Sequence, residues 1–151
     1  MATLKDRLRS DLTDSMRARD ELRTATLRMA LTAVTNAEVA GSHARELSDD
    51  EVLAVLNKEL KKRREAATAF SDAGRTDSAD RELAEAAVLA DYLPTALTPD
   101  ELVALVAEAI GQTEAAGPQD MGKVMKLVQP QVAGRADGKA VADEVRRQLS
   151  G

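Results

Sequence analysis

The sequence predicts an all-α protein, with a larger N-terminal domain of about four helices and a small C-terminal domain of three helices. Apolar residues recur at helical spacing along the chain, and no stretch alternates apolar and polar residues for long, as a strand does. Apolar residues make up 44% of the chain but aromatic residues only 1%. The core must therefore consist of leucine, valine, alanine and methionine, which are mostly good helix formers. Capping boxes at Ser48–Glu51 and Thr98–Glu101 mark one helix start in each domain.

Four helices are predicted in the N-terminal domain, residues 1–93. The first carries apolar side chains every four residues, which form a stripe facing the core. Gly74 ends the long third helix, because glycine readily takes the left-handed conformation of a helix C-terminus. Pro94 stops the fourth helix, since the residue before a proline avoids helical angles. The stripe of the first helix is Leu4, Leu8, Leu12 and Met16. The expected helices are about 3–18, 20–40, 48–73 and 77–92.

Three further helices are predicted in the C-terminal domain, residues 98–151. The first has Pro99 at the favoured first position and ends near Gln112. The second opens at Asp120 and ends near Val128, ahead of Pro130. A turn with two glycines at 134–138 leads to the last helix, at about 139–149. Residues 93–97 form the boundary between the domains.

The charge of the chain is unevenly distributed. The net charge is −5. Residues 118–151 contain 6 Lys and Arg and 4 Asp and Glu, which leaves 15 and 22 in residues 1–117, so the two segments carry +2 and −7. A basic tail on an acidic body indicates an anionic partner for the tail. Proteins that bind single strands stack bases on aromatic rings, so the scarcity of aromatics favours binding to the phosphates and shape of folded RNA.

The sequence contains no motif that is typical of common catalytic chemistry. The chain has no cysteine, which excludes disulfides, thiolate metal sites and a cysteine nucleophile. The single histidine, His43, follows Gly41 and Ser42 and is interpreted as a solvated loop residue rather than a general base. No P-loop, dinucleotide fingerprint or nucleophile elbow is present. We therefore expect no catalytic residue, no metal site and no cofactor.

The start of the chain is charged and periodic, and no apolar run reaches the length of a signal sequence or a membrane span. The absence of cysteine also fits a reducing compartment. We therefore expect a cytoplasmic protein that does not enter the membrane.

The basic run Lys58–Arg64 has two interpretations. One is a phosphate-binding face. The other is a solvated helix in which Arg63 or Arg64 pairs with a carboxylate of another helix, such as Glu38 or Glu85. Arg63 falls on the apolar side of the predicted helix, where an unpaired charge is costly, so the second interpretation is favoured.

The last two helices and the turn between them carry the candidate nucleic-acid site. Helix N-termini present free amides and favour anions, and glycines let a backbone approach a phosphate closely. This pattern predicts contact with a nucleic-acid backbone. A plain helical hairpin with Asp137 as N-cap explains the same residues equally well. The candidate site consists of Lys123, Lys126, Arg135 and Lys139 with Gly122, Gly134 and Gly138.

Several motifs in order along the chain resemble those of the GatB/YqeY family, small bacterial proteins similar to the tail of the B subunit of the tRNA-dependent amidotransferase. The resemblance covers essentially the whole chain, and the Tyr-Leu-Pro motif and the last two segments are the most specific. The matching segments are Leu27–Met29, Glu59–Arg64 with Phe70, Gly74–Asp77, Tyr92–Pro94, Asp120–Met125 and Gly134–Lys139.

The resemblance implies a two-part helical fold and an association with the glutamine-dependent amidation of mischarged tRNA. The resemblance further implies a role like that of the tail in the amidotransferase, which holds the tRNA while other domains perform the chemistry; related modules are appended to some glutaminyl-tRNA synthetases. The chain matches the tail. It has no counterpart of the amidotransferase's kinase-like domain, which activates the substrate, or of its separate amidase subunit, which carries a Ser-Ser-Lys nucleophile system. The family label, a carbon–nitrogen ligase with glutamine as amido-N-donor, therefore attaches to it by homology.

Three functions remain open on the sequence. An accessory tRNA-binding module predicts salt-sensitive RNA binding through the basic turn. A module that docks on an amidotransferase or an aminoacyl-tRNA synthetase predicts a protein partner and little affinity for RNA. A catalytic amidotransferase component predicts glutamine hydrolysis by the pure chain, and is the least favoured because no nucleophile is recognised.

Overall fold

The computed structural model describes residues 2–151 and confirms the all-α class. Within these residues the chain forms seven α-helices and a 3₁₀ turn, and no strand. The chain divides into two compact units, one ending at Leu93 and the other beginning at Pro94. The helices are α1 Leu4–Arg17, α2 Glu21–Glu38, α3 Asp49–Asp72, α4 Thr76–Ala90, α5 Pro99–Thr113, α6 Met121–Val132 and α7 Gly138–Ser150, and the 3₁₀ turn is Pro118–Asp120.

The N-terminal unit packs α1 to α4 around leucine and small aliphatic side chains. Each of the four helices contributes a fully buried leucine to the core. Burying each of these side chains contributes roughly 1.5–3 kcal/mol. Ala30 of α2 and Ala86 of α4 lie in the same core, where their small size lets the helices approach closely. The four leucines are Leu8, Leu27, Leu56 and Leu89.

The C-terminal unit packs α5, α6 and α7 around a core made mostly of valine. Val124 and Val128 of α6 are four residues apart, and both are completely buried. Val106 of α5 and Val145 of α7 are also completely buried. Residues at this spacing lie on one side of a helix. The opposite sides of α6 and α7 are therefore left for polar and charged residues.

The stripe predicted on α1 is partly wrong, because Met16 is 45% exposed. Leu8 is fully buried, whereas Leu4 and Leu12 are half-buried against the same core. Met16 lies in the last turn of α1, where its Sδ accepts a hydrogen bond from Arg28 Nη2 at 3.2 Å. Ser15, one residue earlier, lies on the buried side of this turn instead.

Helix α6 runs four residues beyond the predicted end at Val128 and includes Pro130. Proline removes one N–H and strains the preceding turn. The helix continues because Val132 returns to the buried side, four residues after Val128. The side-chain amide of Gln131 also donates to the Leu127 carbonyl at 3.1 Å.

The start of α6 also differs from the prediction. Asp120 belongs to a 3₁₀ turn, and α6 begins at Met121. The Asp120 carboxylate accepts a hydrogen bond from the Ala116 N–H at 2.8 Å instead of capping α6. The acid therefore closes the loop that precedes the helix.

Three helices of the described chain end in the same backbone motif. After α3, Gly74 takes a left-handed conformation with a φ of 76°, and the Arg75 N–H donates to the Phe70 carbonyl. This is the Schellman arrangement, in which glycine is favoured. Arg19 after α1 and Glu114 after α5 take the same conformation, with φ of 58° and 55°. The left-handed conformation costs a residue with a side chain roughly 1–2 kcal/mol. The sequence therefore predicted a helix end of this kind only at Gly74.

Both capping boxes are present, and the one at α3 is reinforced by an ion pair. The Ser48 hydroxyl accepts from the Glu51 N–H at 3.2 Å, and Glu51 accepts from the Ser48 N–H at 3.1 Å. Arg45 donates two hydrogen bonds to the Glu51 carboxylate. These bonds, with that from Arg45 the largest cause, lower the pKa of Glu51 to about 2.

Replacing Arg19 by glycine should stabilise the protein. We expect Arg19→Gly to raise the free energy of unfolding by about 0.5–1 kcal/mol, since relief of the left-handed strain exceeds the extra entropy that glycine loses on folding. Gly74→Ala should lower it by about 1 kcal/mol. A Cβ at Gly74 would meet no atom within 4 Å, so strain alone acts there. Urea unfolding of both variants measures these changes, and a destabilising Arg19→Gly would contradict the assignment.

The Glu51 ion pair should make stability depend on pH in the acid range. A carboxyl whose pKa is lowered from 4.5 to about 2 stabilises the fold above pH 4.5, and this contribution disappears as the pH falls from 4.5 to about 2. The difference in Tm between the wild type and Glu51→Gln should therefore shrink over this range. Because both side chains are partly exposed, salt should also reduce the difference. A difference that is independent of pH would exclude this role of Glu51.

Candidate nucleic-acid interface

Helix α6 brings two of the predicted site residues together. Lys123 and Lys126 are three residues apart and exposed on the same side of the helix. The Lys123 ammonium lies 4.0 Å from Asp120 Oδ1, at the limit of an ion pair. Helix α6 itself contains no acidic residue. Both ammonium groups are therefore accessible to an anion.

Lys139 lies in the first turn of α7, with its side chain 79% exposed. Its Nζ is 2.9 Å from Asp143 Oδ2, one turn further along the same helix. Such an exposed pair within one helix contributes well under about 1 kcal/mol. Lys139 could therefore exchange this partner for a phosphate.

Arg135 is held by the protein itself. Its Nε donates to the Thr95 carbonyl at 3.0 Å, and its own carbonyl accepts from the Leu97 N–H at 2.8 Å. These two bonds attach residues 95–97 to the turn between α6 and α7. Arg135 is half-buried, and one N–H of its guanidinium is already used. Its contacts make it a residue that positions the turn.

The three glycines differ in what the fold requires of them. Gly134 is buried and left-handed, with a φ of 71°, so the backbone of the turn favours glycine there. At Gly122 and Gly138, a Cβ would meet no atom within 4 Å. Packing inside the protein therefore does not require glycine at the starts of α6 and α7, and both positions are open to solvent.

The four predicted cations do not all lie at the turn. Lys123 precedes Val132, the last residue of α6, by nine residues, or about 14 Å along the helix axis. Arg135 and Lys139 follow that end of the helix. The cations form two groups, one along α6 and one at the turn, and a ligand that spans several phosphates could contact both.

The half-buried Arg63 pairs with carboxylates of α4, as one interpretation of the basic run predicted. Its Nη1 lies 3.3 Å from Glu82 Oε2 and 3.8 Å from Glu85 Oε2. The prediction of Glu38 as the other possible partner is wrong, because the Glu38 carboxylate accepts a hydrogen bond from Lys5 Nζ at 2.6 Å instead. The bond from Lys5 is the largest cause of a lowered pKa of Glu38.

Sequence reasoning missed a network at Tyr92. The Tyr92 hydroxyl donates to Asp11 Oδ2 and accepts from Arg23 Nη2 at 3.2 Å. The Arg7 guanidinium lies 4.7 Å from the centre of the ring. Burial first, and then the bond to Asp11, raises the pKa of Tyr92 to about 12. No signal in the sequence links these four residues, because Tyr92 lies far along the chain from its three partners on α1 and α2.

Residues 2–151 contain no group of three or more His, Asp or Glu side chains that could hold a metal ion. None of the helices between residues 2 and 151 is both long and apolar enough to cross a membrane. His43 lies exposed in the loop between α2 and α3.

Comparison with known proteins defines the class of this two-unit helical chain. The sequence profile of the YqeY-like protein family matches residues 5–149, from α1 to the last turn of α7. An uncharacterized protein of Schizosaccharomyces pombe is 34% identical over 88 residues, which cover 58% of this chain and 69% of the relative. The chain belongs to the YqeY-like family, so the resemblance seen in the sequence motifs is confirmed.

Replacing Arg135 by lysine should separate its charge from its structural contact. Lysine keeps the positive charge but lacks the Nε–H that holds the Thr95 carbonyl. We expect faster hydrogen exchange at the Leu97 amide, whose acceptor is the Arg135 carbonyl, because the docked segment loosens. Gln148→Ala, near the other end of α7, is a control. Unchanged exchange at Leu97 would show that the side chain does not hold the segment.

Proposed function

We propose that this protein is an accessory tRNA-binding module for the glutamine-dependent amidation of mischarged tRNA. It would hold the RNA in the cytoplasm, and partner subunits would supply the carbon–nitrogen ligase chemistry. Lys123 and Lys126 on α6, together with Lys139, would contact phosphates. The glycines at positions 122 and 138 would let the backbone come close to the ligand.

The observation that carries this proposal is the separation of charge in the C-terminal unit. Residues 94–151 contain six Lys and Arg and eight Asp and Glu, a net charge of −2. Despite this, α6 carries two exposed lysines and no acid, whereas α5 carries Asp100, Glu101 and Glu108 and no base. A local concentration of cations in an acidic unit favours a specific anionic partner over general attraction.

Family membership and composition support the same proposal. The family profile covers both units, as expected for a tail-like module. Tyr92 is buried and Phe70 is half-buried under Arg75. Neither ring offers an open platform for stacking bases, which favours recognition of phosphates on a folded RNA.

A second candidate function is docking on an amidotransferase or an aminoacyl-tRNA synthetase. Helix α5 favours it, because its three carboxylates form no ion pair within residues 2–151 and Val103 on the same helix is 38% exposed. Exposed carboxylates suit a basic protein partner. This candidate predicts capture of such a partner with little affinity for RNA.

Fluorescence anisotropy of labelled bacterial tRNA tests the first candidate. The variant Lys123→Gln/Lys126→Gln/Lys139→Gln should bind more weakly, and the salt dependence of log K should fall by roughly one unit for each phosphate that the protein no longer binds. Arg135 is left intact, since its replacement would also loosen residues 95–97.

The matched control is Arg146→Gln/Arg147→Gln, which removes two cations near the C-terminal end of α7, outside the proposed contact surface. Arg146 lies 3.0 Å from Asp143, and Arg147 lies 2.6 Å from Glu144. The control should bind tRNA nearly as the wild type does. If the wild type binds no tRNA at low salt, the RNA-binding proposal is wrong for the isolated chain and the docking candidate takes its place.

A further inference from the structure

Two exposed lysines of α3 lie on one side of the helix, outside the ion pairs that join α3 to α4. The basic run of α3 contains five cations between Lys58 and Arg64. Arg63 turns inward to Glu82 and Glu85 of α4. Lys58 and Lys62 are exposed and four residues apart, so their side chains are neighbours on the helix surface.

The carboxylates around these two lysines compensate them only in part. Lys58 has no carboxylate within ion-pair distance among residues 2–151, whereas Lys62 Nζ lies 3.3 Å from Glu59 Oε1. The Glu59 side chain is 12% exposed, so this acid lies beneath the surface that the lysines form. Glu65 is an exposed acid on the same side. The outer surface of this turn therefore presents positive charge in a unit whose net charge is negative.

Like charges one helical turn apart repel each other, so this arrangement weakens α3 slightly. The two acids of α4 that reach α3, Glu82 and Glu85, are engaged with Arg63 and do not relieve the repulsion. An arrangement that costs stability and leaves cations exposed suits an external anion.

We propose that the lysine turn, defined as Lys58 and Lys62, is a second contact for the phosphate backbone of the bound RNA. This inference rests on the proposed function, and adds a surface on the N-terminal unit to the one on α6. Lysine is a flexible point charge, so the surface would attract phosphates without reading the sequence.

Binding of folded tRNA to Lys58→Gln/Lys62→Gln, by anisotropy over a range of salt concentrations, tests the proposal. Removing both cations should reduce the slope of log K against log salt by roughly two and weaken binding at about 0.1 M salt by roughly tenfold or more. Lys58→Arg/Lys62→Arg should retain binding because the charge is kept. Arg146→Gln/Arg147→Gln again controls for the change in net charge. Because Lys62→Gln also removes the partner of the largely buried Glu59, circular dichroism of the glutamine variant is the check on folding: an unchanged helix content excludes loss of fold as the cause.

The outcomes separate this inference from the proposed function. If the α3 variant behaves as the control while the variant of Lys123, Lys126 and Lys139 loses binding, the lysine turn is not a contact and the proposed function stands. If only the α3 variant loses binding, the lysine turn is a contact and the assignment of α6 is wrong. If the wild type binds no tRNA, both proposals are overturned.

Discussion

The Tyr92 hydroxyl joins three helices of the N-terminal unit at one point. It stands at the end of α4, donates to Asp11 of α1 and accepts from Arg23 of α2. A hydrogen bond to a charged group contributes roughly 1.5–3 kcal/mol, more than most single contacts in a small domain. With hardly any other aromatic residue available, the large ring of Tyr92 also fills the core where the chain leaves α4. The Tyr-Leu-Pro motif thus combines a core side chain, a polar anchor and a helix stop.

The remaining core shows how helices pack when aromatic residues are nearly absent. Valine, alanine and leucine fill the two units, and the valines of α6 and α7 repeat at intervals of four residues. A narrow buried stripe is enough for such helices, so most of their circumference remains free. Charged residues can therefore be concentrated on particular surfaces of these helices. A chain whose helices buried larger residues on more sides would have less exposed surface for them.

The fold class and most helix starts could be predicted because they depend on local chemistry. The capping boxes at Ser48 and Thr98 and the glycine after α3 act within one turn of chain. Three features could not be predicted for physical reasons. Arg19 and Glu114 occupy a position where propensity favours glycine, Pro130 is tolerated because Val132 packs into the core, and the partners of Tyr92 come together only in the folded chain.

The same limit applies to the candidate site, where a count of cations does not reveal which of them are used internally. Lys5 and Arg63 neutralise half-buried or buried carboxylates, and Arg135 holds a backbone segment. The charges of these three residues are already engaged by partners within the protein, so they need no ligand. Lys58, Lys123 and Lys126 differ, since their ammonium groups face solvent with weak or no compensation. Folding therefore sorts the basic residues into those that stabilise the helices and those available to an anion, and Lys58 on α3 and Lys123 and Lys126 on α6 belong to the second group.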